Sequence, residues 1–347
     1  MKALFIGLGG IGQRHLRNLR TIAAERGETL EILAYRVRRY ARVLTDQLGV
    51  EDGKDLESLH SLKVFDHLEN ALYEDPEVAF ICNPTSLHIF VALQAAKAGC
   101  HLFLEKPVSH NLDGVDELLE VTRQRRLVTL VGYQLRFHPL LRRIKQLLDQ
   151  EAIGRILAVR IEVGEDIRKW HPYEDYRQTY ASRRDLGGGV ILSQIHEMDY
   201  AHWFFGMPRR VFALGGHLSN LEVDVEDVAS ILMEFTRDGR TLPVHFHEDY
   251  VQFPPSRGCQ IIGDAGKIIL DLRGLSLSVY DAAGKIGESR TLEGFERNKL
   301  FLDEMSHFLA CVRGEEQPIV PLEDGVRSLR MALAARQSLA EGNVVTL

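Results

Sequence analysis

Several absences narrow the reading of this 347-residue sequence before any motif does. It has only 4 cysteines, Cys82, Cys100, Cys259 and Cys311, far apart and with no C-x-x-C spacing. That argues against a zinc ribbon or a disulfide framework and suits a reducing, cytoplasmic compartment. It lacks a cationic excess. Against 49 acidic residues stand 42 Lys and Arg, and the net charge of −7 gives no footing to a nucleic-acid or membrane-surface partner. Local basic groups such as Arg123, Arg125 and Arg126, or Arg142 and Arg143, have no interleaved aromatics and read as solvated helix faces. No apolar stretch approaches the roughly 20 residues that a membrane-spanning helix needs. The first apolar run is short and leads straight into glycines, so no signal peptide is expected. Internal repeats and low-complexity segments are also missing. What remains, 45% hydrophobic and 26% charged residues, is the composition of a globular chain long enough for two domains with cores.

The first of these domains announces itself at once. Lys2 to Gly12 read as a buried strand running into Gly7, Gly9 and Gly12, a G-x-G-x-x-G fingerprint, and Gln13 onward continues as a helix. Gly7 permits a tight turn, Gly9 lets backbone approach a pyrophosphate, and Gly12 lets helix and strand pack closely. The first-turn N–H groups and the helix dipole then face an anion. A dinucleotide, and in this setting a nicotinamide cofactor, is the expected ligand.

Apolar runs predict strands at Ala3–Ile6, Leu30–Tyr35, Val78–Ile81 and His101–Leu104. Between and after them, helices are expected over Gln13–Glu25, Arg38–Leu48, Leu68–Tyr73, Leu87–Ala98 and Leu112–Gln124. Strands alternating with helices imply a doubly wound parallel sheet with its ligand at the carboxyl ends of the strands. Beyond Val128 the grammar changes to hairpins. Strands are expected at Ile156–Val163, Arg210–Leu214, Asp227–Phe235, Leu242–His247, Gln260–Ile262, Lys267–Leu272 and Leu275–Tyr280, with helices near Lys299–Val312 and Leu322–Glu341. The fold class is therefore α/β: an N-terminal Rossmann domain over residues 1–122, and a C-terminal α+β domain over 123–347 with a large, mostly antiparallel sheet. Such an open sheet leaves a face to bury, so a homodimer or homotetramer is expected.

Four further segments carry polar residues suited to chemistry. They are Cys82-Asn83-Pro84-Thr85-Ser86-Leu87-His88, Glu105-Lys106-Pro107, Gly132-Tyr133-Gln134-Leu135-Arg136-Phe137-His138-Pro139, and Gly187-Gly188-Gly189 running on to His196 and Asp199. In this order they resemble the glucose–fructose oxidoreductase / inositol dehydrogenase (Gfo/Idh/MocA) family along essentially the whole chain. The resemblance implies an NAD(P)-dependent oxidoreductase acting on a CH–OH group of a sugar, sugar derivative or polyol. It also implies a cis bond before Pro107, and cofactor contacts from Gly10, Ile11, Asn83, Pro84, Thr85, His88, Glu105 and Lys106 beside the three fingerprint glycines.

Lys106, at a strand end, is the candidate to hydrogen-bond a substrate hydroxyl and stabilise the developing alkoxide. His196, as the residue type that ordinarily exchanges a proton near neutral pH, is the candidate acid/base, with Asp199 one helical turn on as an orienting residue. One departure stands out. Many family members carry an aspartate four residues before this histidine, where this chain has Leu192. The turn is one residue shorter, which brings Ser193 near the vacant place, while Glu197, Asp166 or Asp175 are alternative compensating carboxylates. The departure keeps two other readings open: a redox-assisted enzyme with tightly held NAD, of the glycoside-cleavage type, and a non-catalytic cofactor-binding regulator.

Trp170, His171 and Tyr176 lie in a segment suited to sugar, since aromatics stack on C–H faces and polar tips bind hydroxyls. Arg136 and His138 are expected in the substrate cleft. His245 and His247, with Glu248 and Asp249 following, invite a metal, but alternation along a strand turns Glu248 away from the histidines and no metal is expected. For the cofactor, strand two ends in Arg36, Arg38 and Arg39 with no carboxylate at its tip. A guanidinium there suits a 2′-phosphate, which favours NADP over NAD.

Overall fold

A computed structural model describes residues 1–36, 42–45, 49–51 and 55–347. The chain opens with β1 (Lys2–Ile6), α1 (Gly10–Glu25), β2 (Glu31–Tyr35), β3 (Val43–Leu44), β4 (Val50–Glu51), α2 (Leu56–His60) and β5 (Lys63–Phe65). It continues through α3 (Leu68–Leu72), β6 (Val78–Ile81), α4 (His88–Ala98), β7 (His101–Leu104), α5 (Val115–Gln124), β8 (Thr129–Val131) and α6 (Pro139–Asp149). Next come β9 (Ile156–Gly164), α7 (Val190–Ser193), α8 (His196–Phe205), β10 (Arg210–Gly216), β11 (Val228–Arg237), β12 (Arg240–Asp249) and β13 (Ser256–Gly263). The last elements are β14 (Gly266–Asp271), β15 (Ser276–Asp281), β16 (Ile286–Thr291), α9 (Asn298–Val312), α10 (Leu322–Glu341) and β17 (Val345–Thr346).

Contacts divide the chain into two units, Met1–Gln134 with Arg297–Val326, and Leu135–Glu296 with Arg327–Leu347. In the first, the strands run in the order β5-β2-β1-β6-β7-β8, all parallel. Every residue of β6 is buried, as in a sheet covered on both faces. The order reverses between β1 and β6, the place where a doubly wound sheet opens a crevice for its ligand. Phe5 stacks on Phe80 at 4.6 Å, and Phe80 and Phe103 both meet Phe308 of α9 edge-on. That late helix thus completes the first core. Residues 123–134 and 297–326, grouped with the second domain by the change in strand grammar, pack with the first unit.

The helix expected over Arg38–Leu48 is corrected where it can be seen: Val43–Leu44 pairs antiparallel with Val50–Glu51. Thr45 closes this hairpin, its main-chain N–H donating to the Gly49 carbonyl and its hydroxyl accepting from the Gly49 N–H. Arg38 and Arg39 lie outside the described residues.

The second unit is built on a nine-stranded sheet, β16-β15-β14-β13-β9-β12-β11-β10-β17, antiparallel except where β12 meets β9. Along β11, Ala229, Ile231, Met233 and Phe235 are buried while Ser230, Leu232 and Thr236 are exposed, the alternation of a sheet covered on one face. Helices α7 and α8 lie on the covered face, against β9, β11 and β12. Among the described residues no helix is long and apolar enough to cross a membrane.

Candidate active site

The fingerprint folds as a cradle. A Cβ on Gly12 would lie 2.2 Å from the Gly7 carbonyl oxygen, and one on Gly7 would lie 2.7 Å from the Asn83 nitrogen. Neither backbone nor neighbour has room to yield, so both positions require glycine. Beside Gly9, by contrast, nothing stands within 4 Å of where a Cβ would be. Gly9 caps α1 without a side-chain bond, and no acidic residue occupies the first turn, where Gly10 and Ile11 lie. Asn83, at the end of β6, carries a buried Oδ1 with no partner among the described residues. An uncapped helix N-terminus and open space at the sheet's switch point fit a dinucleotide pyrophosphate, while the Asn83 Oδ1, an acceptor, suits a hydroxyl or N–H donor instead.

Pro84 precedes the single turn Thr85–Leu87, which places Thr85 out of solvent and delivers His88 into α4. The His88 ring is buried, with Nδ1 2.9 Å from the Pro107 carbonyl and Nε2 2.8 Å from the Asn83 carbonyl. Burial pulls its pKa below the usual histidine value. The Lys106–Pro107 bond is cis. Glu105, just after β7, is buried against Gly132 and receives a 2.6 Å contact from Nε2 of His15, a buried residue on α1 that the motif reading passed over. Its other oxygen accepts from the Lys106 main-chain N–H at 3.2 Å.

At the end of β2, Arg36 is not a free guanidinium. It is 5% exposed, and Nη1 lies 3.1 Å from Glu57 Oε1 on α2. Asp55 caps α2 nearby, and the Arg36 charge helps hold its carboxyl below the usual range behind the Ser58 hydrogen bonds. The carboxylate that meets the end of strand two thus comes from α2, 21 residues further on.

In the second unit Gly187 and Gly189 both have positive φ, and a Cβ on Gly189 would strike the Glu226 carboxylate at 2.2 Å. This turn launches α7. Leu192, at the place of the expected aspartate, is a core residue, and Ser193 is buried beside the Tyr250 hydroxyl. His196 opens α8 and is 5% exposed. The three candidate compensating carboxylates are engaged elsewhere. Asp166 binds Arg168 at 2.8 Å, Asp175 binds Arg177 at 2.7 Å, and Glu197, fully buried, forms a two-bond pair with Arg257 at 2.8 and 2.9 Å.

Arg136 and His138 both have partners within the second unit. The Nε and Nη2 edge of Arg136 donates to Asp199, and the guanidinium lies over Trp203. His138 caps α6, accepting from the Leu140 N–H, and burial, with Arg257 adding, pushes it down to about 4. Trp170 meets Tyr250 edge-on and keeps a buried Nε1 without a partner among the described residues. His171 is partly exposed, its Nδ1 2.9 Å from Glu174, and the Tyr176 hydroxyl accepts from the Glu222 N–H. On the opposite sheet face, His245 meets Ser230 and His247 meets Asp249. Glu248 turns to the helix-covered face, where it is fully buried with neither carboxyl oxygen partnered among the described residues. Burial, Glu197 and Glu226 raise its pKa well above the ordinary range.

Comparison with known proteins also divides the chain in two, with residues 297–326 falling in the C-terminal part. A family model described as the NAD-binding Rossmann fold of the Gfo/Idh/MocA oxidoreductases matches residues 1–133, and the model of their C-terminal alpha/beta domain matches 145–347. The chain is 29% identical over 357 residues to a myo-inositol 2-dehydrogenase of Thermotoga maritima, covering 100% of this chain and 98% of that protein. It is 24% identical to a scyllo-inositol 2-dehydrogenase (NAD(+)) of Bacillus subtilis, covering 100% and 96%. Among solved structures, a levoglucosan dehydrogenase in complex with NADH and levoglucosan has the same fold, with a TM-score of 0.82, 18% identity and coverage of 100% and 99%.

Proposed function

The chain belongs to the Gfo/Idh/MocA oxidoreductase family, and from that premise we propose that it oxidises, reversibly, a secondary hydroxyl of an uncharged polyol or cyclic sugar. The observation that carries this reading is Lys106, held in a built loop directly after β7 at the carboxyl edge of the parallel sheet, in the unit that also forms the glycine cradle. When bound there, a nicotinamide supplies the hydride acceptor.

The chain's own residues handle the rest. The Lys106 ammonium donates to the substrate hydroxyl oxygen and stabilises the alkoxide as it develops. An imidazole nitrogen of His196 takes the hydroxyl proton, and in the reverse direction returns it. Neither step needs a carboxylate at Leu192. Ser193 is a further polar group for this site, and Trp170, His171 and Tyr176 form the proposed sugar-binding segment. The pyrophosphate is held by the main-chain N–H groups that follow Gly9.

For the second ribose, the Arg36–Glu57 pair supports NAD rather than the NADP favoured by strand two alone. A guanidinium already neutralised by Glu57, with Asp55 close by, offers no net positive charge to a 2′-phosphate. Initial rates of NADH or NADPH formation with myo-inositol, scyllo-inositol, levoglucosan and free hexoses test the function. Turnover is expected with at least one cyclic polyol and NAD. A chain that purifies with NAD bound and forms no free NADH with any of them supports the redox-assisted alternative, and one that binds NADH without any turnover supports a regulator.

A further inference from the structure

Two buried histidines outside the proposed chemistry grip the chain on either side of Lys106. On the upstream side, His15 sits on α1, three residues past Gly12, wholly buried and packed edge-on against Phe103 at 4.7 Å. Its Nδ1 has no partner among the described residues. The ring proton therefore belongs on Nε2, which donates to Glu105 Oε1 at 2.6 Å. The same carboxylate, through Oε2, receives the Lys106 N–H at 3.2 Å and rests on the bare Cα of Gly132.

On the downstream side, His88 is 1% exposed and stands between two carbonyl oxygens, Pro107 at 2.9 Å and Asn83 at 2.8 Å. Both partners are acceptors and a neutral imidazole has one N–H, so the hold on the lysine loop is made by the tautomer with its proton on Nδ1, which donates to the Pro107 carbonyl. One of these carbonyls belongs to the lysine loop and the other to the loop after β6, whose next residues line the switch point.

We propose that His15 and His88 are positioning residues for Lys106, His15 acting through the carboxylate of Glu105 and His88 through the carbonyl of Pro107. The proposal rests on the reading of Lys106 as a catalytic residue. It also ties two parts of the first unit together: the helix whose N-terminus takes the pyrophosphate and the loop that presents the ammonium are joined by one imidazole.

The test uses the full chain carrying His15→Leu, His15→Gln, His88→Leu or His88→Gln, with Lys106→Ala as reference. Glutamine keeps an N–H donor at each place, and leucine does not. With saturating polyol, each leucine variant should lower kcat by about 10- to 100-fold, the effect of a small misplacement of a reacting group, while the NADH Kd moves by less than about 3-fold. The glutamine variants should recover most of kcat. Amide exchange of a peptide covering residues 104–109, which needs no substrate, should be faster in the leucine variants and restored by glutamine. A leucine variant that does not fold is replaced by the corresponding asparagine, which shortens the donor's reach and should show the same loss. If Lys106→Ala is inactive while the histidine variants keep wild-type kcat, whatever their Tm, the positioning role is overturned and the lysine stands. Should Lys106→Ala itself turn over normally, the reading beneath the proposal fails instead.

Discussion

Arg136 and Asp199, 63 positions apart in sequence, meet in the second unit through two parallel hydrogen bonds, Nε to Oδ2 at 2.8 Å and Nη2 to Oδ1 at 2.9 Å. Both side chains are almost wholly buried, and Ser328 donates to the same carboxylate at 3.2 Å. Asp199 lies one turn beyond His196 on α8, so this pair anchors the helix that presents the proposed acid/base. A buried pair of this kind is costly to break from one side, because the charge left behind stays out of water without its counter-ion.

Asp199→Ala should therefore destabilise the protein by about 3–5 kcal/mol, the cost of removing the carboxylate that faces a buried guanidinium. Urea denaturation checks this. A change below about 1 kcal/mol, the scale of an exposed pair, would show that solvent reaches Arg136 freely.

Cofactor choice is predicted to lie with Glu57. Glu57→Gln removes the carboxylate that neutralises Arg36 and should tighten NADPH by roughly tenfold, about 1.4 kcal/mol, with NADH nearly unchanged. Titrations of nicotinamide fluorescence measure both. A wild-type chain that already binds NADPH more tightly than NADH contradicts the role given to this pair.

His138 sets an acid limit on stability. Its pKa in the folded chain, about 4, lies below the ordinary value of 6.5, so the unfolded state binds its proton first as pH falls. The stabilisation is complete above pH 6.5 and is lost progressively down to about pH 4. At about 1.4 kcal/mol per unit it amounts to roughly 3 kcal/mol. His138→Asn keeps a capping side chain without the titration, and should flatten the slope of stability between pH 6.5 and 4. An unchanged slope would place the acid sensitivity elsewhere.

What was legible in the sequence, and what was not, follows from the range of the interactions concerned. Buried parallel strands such as Val78–Ile81 and His101–Leu104 carry their signal in four adjacent apolar residues, and both occur at the expected bounds. The edge strand Ile286–Thr291 is mostly exposed Gly, Glu, Ser and Arg, and has no alternation to find. Helix α6, by contrast, carries a readable signal, with Pro139 at its start and apolar residues at helical spacing. The glycines and the Glu105-Lys106-Pro107 run are local and were visible. The partners of Arg36, Arg136 and Glu197 are 21, 63 and 60 residues away, and only the folded chain names them. His15 lay within reach, since a polar residue three past Gly12 falls on the buried face of α1 beside Leu16 and Leu19.

The most direct measurement of the central claim is the turnover of Lys106→Met and His196→Asn on whichever polyol the wild-type chain oxidises, with NADH affinity measured on the same preparations. Each substitution is predicted to lower kcat by on the order of 10² or more, the range for lost acid–base or alkoxide stabilisation, while the NADH Kd stays within about threefold. Wild-type turnover in either variant, with the protein folded and cofactor bound, would contradict the assignment of that residue to the chemistry.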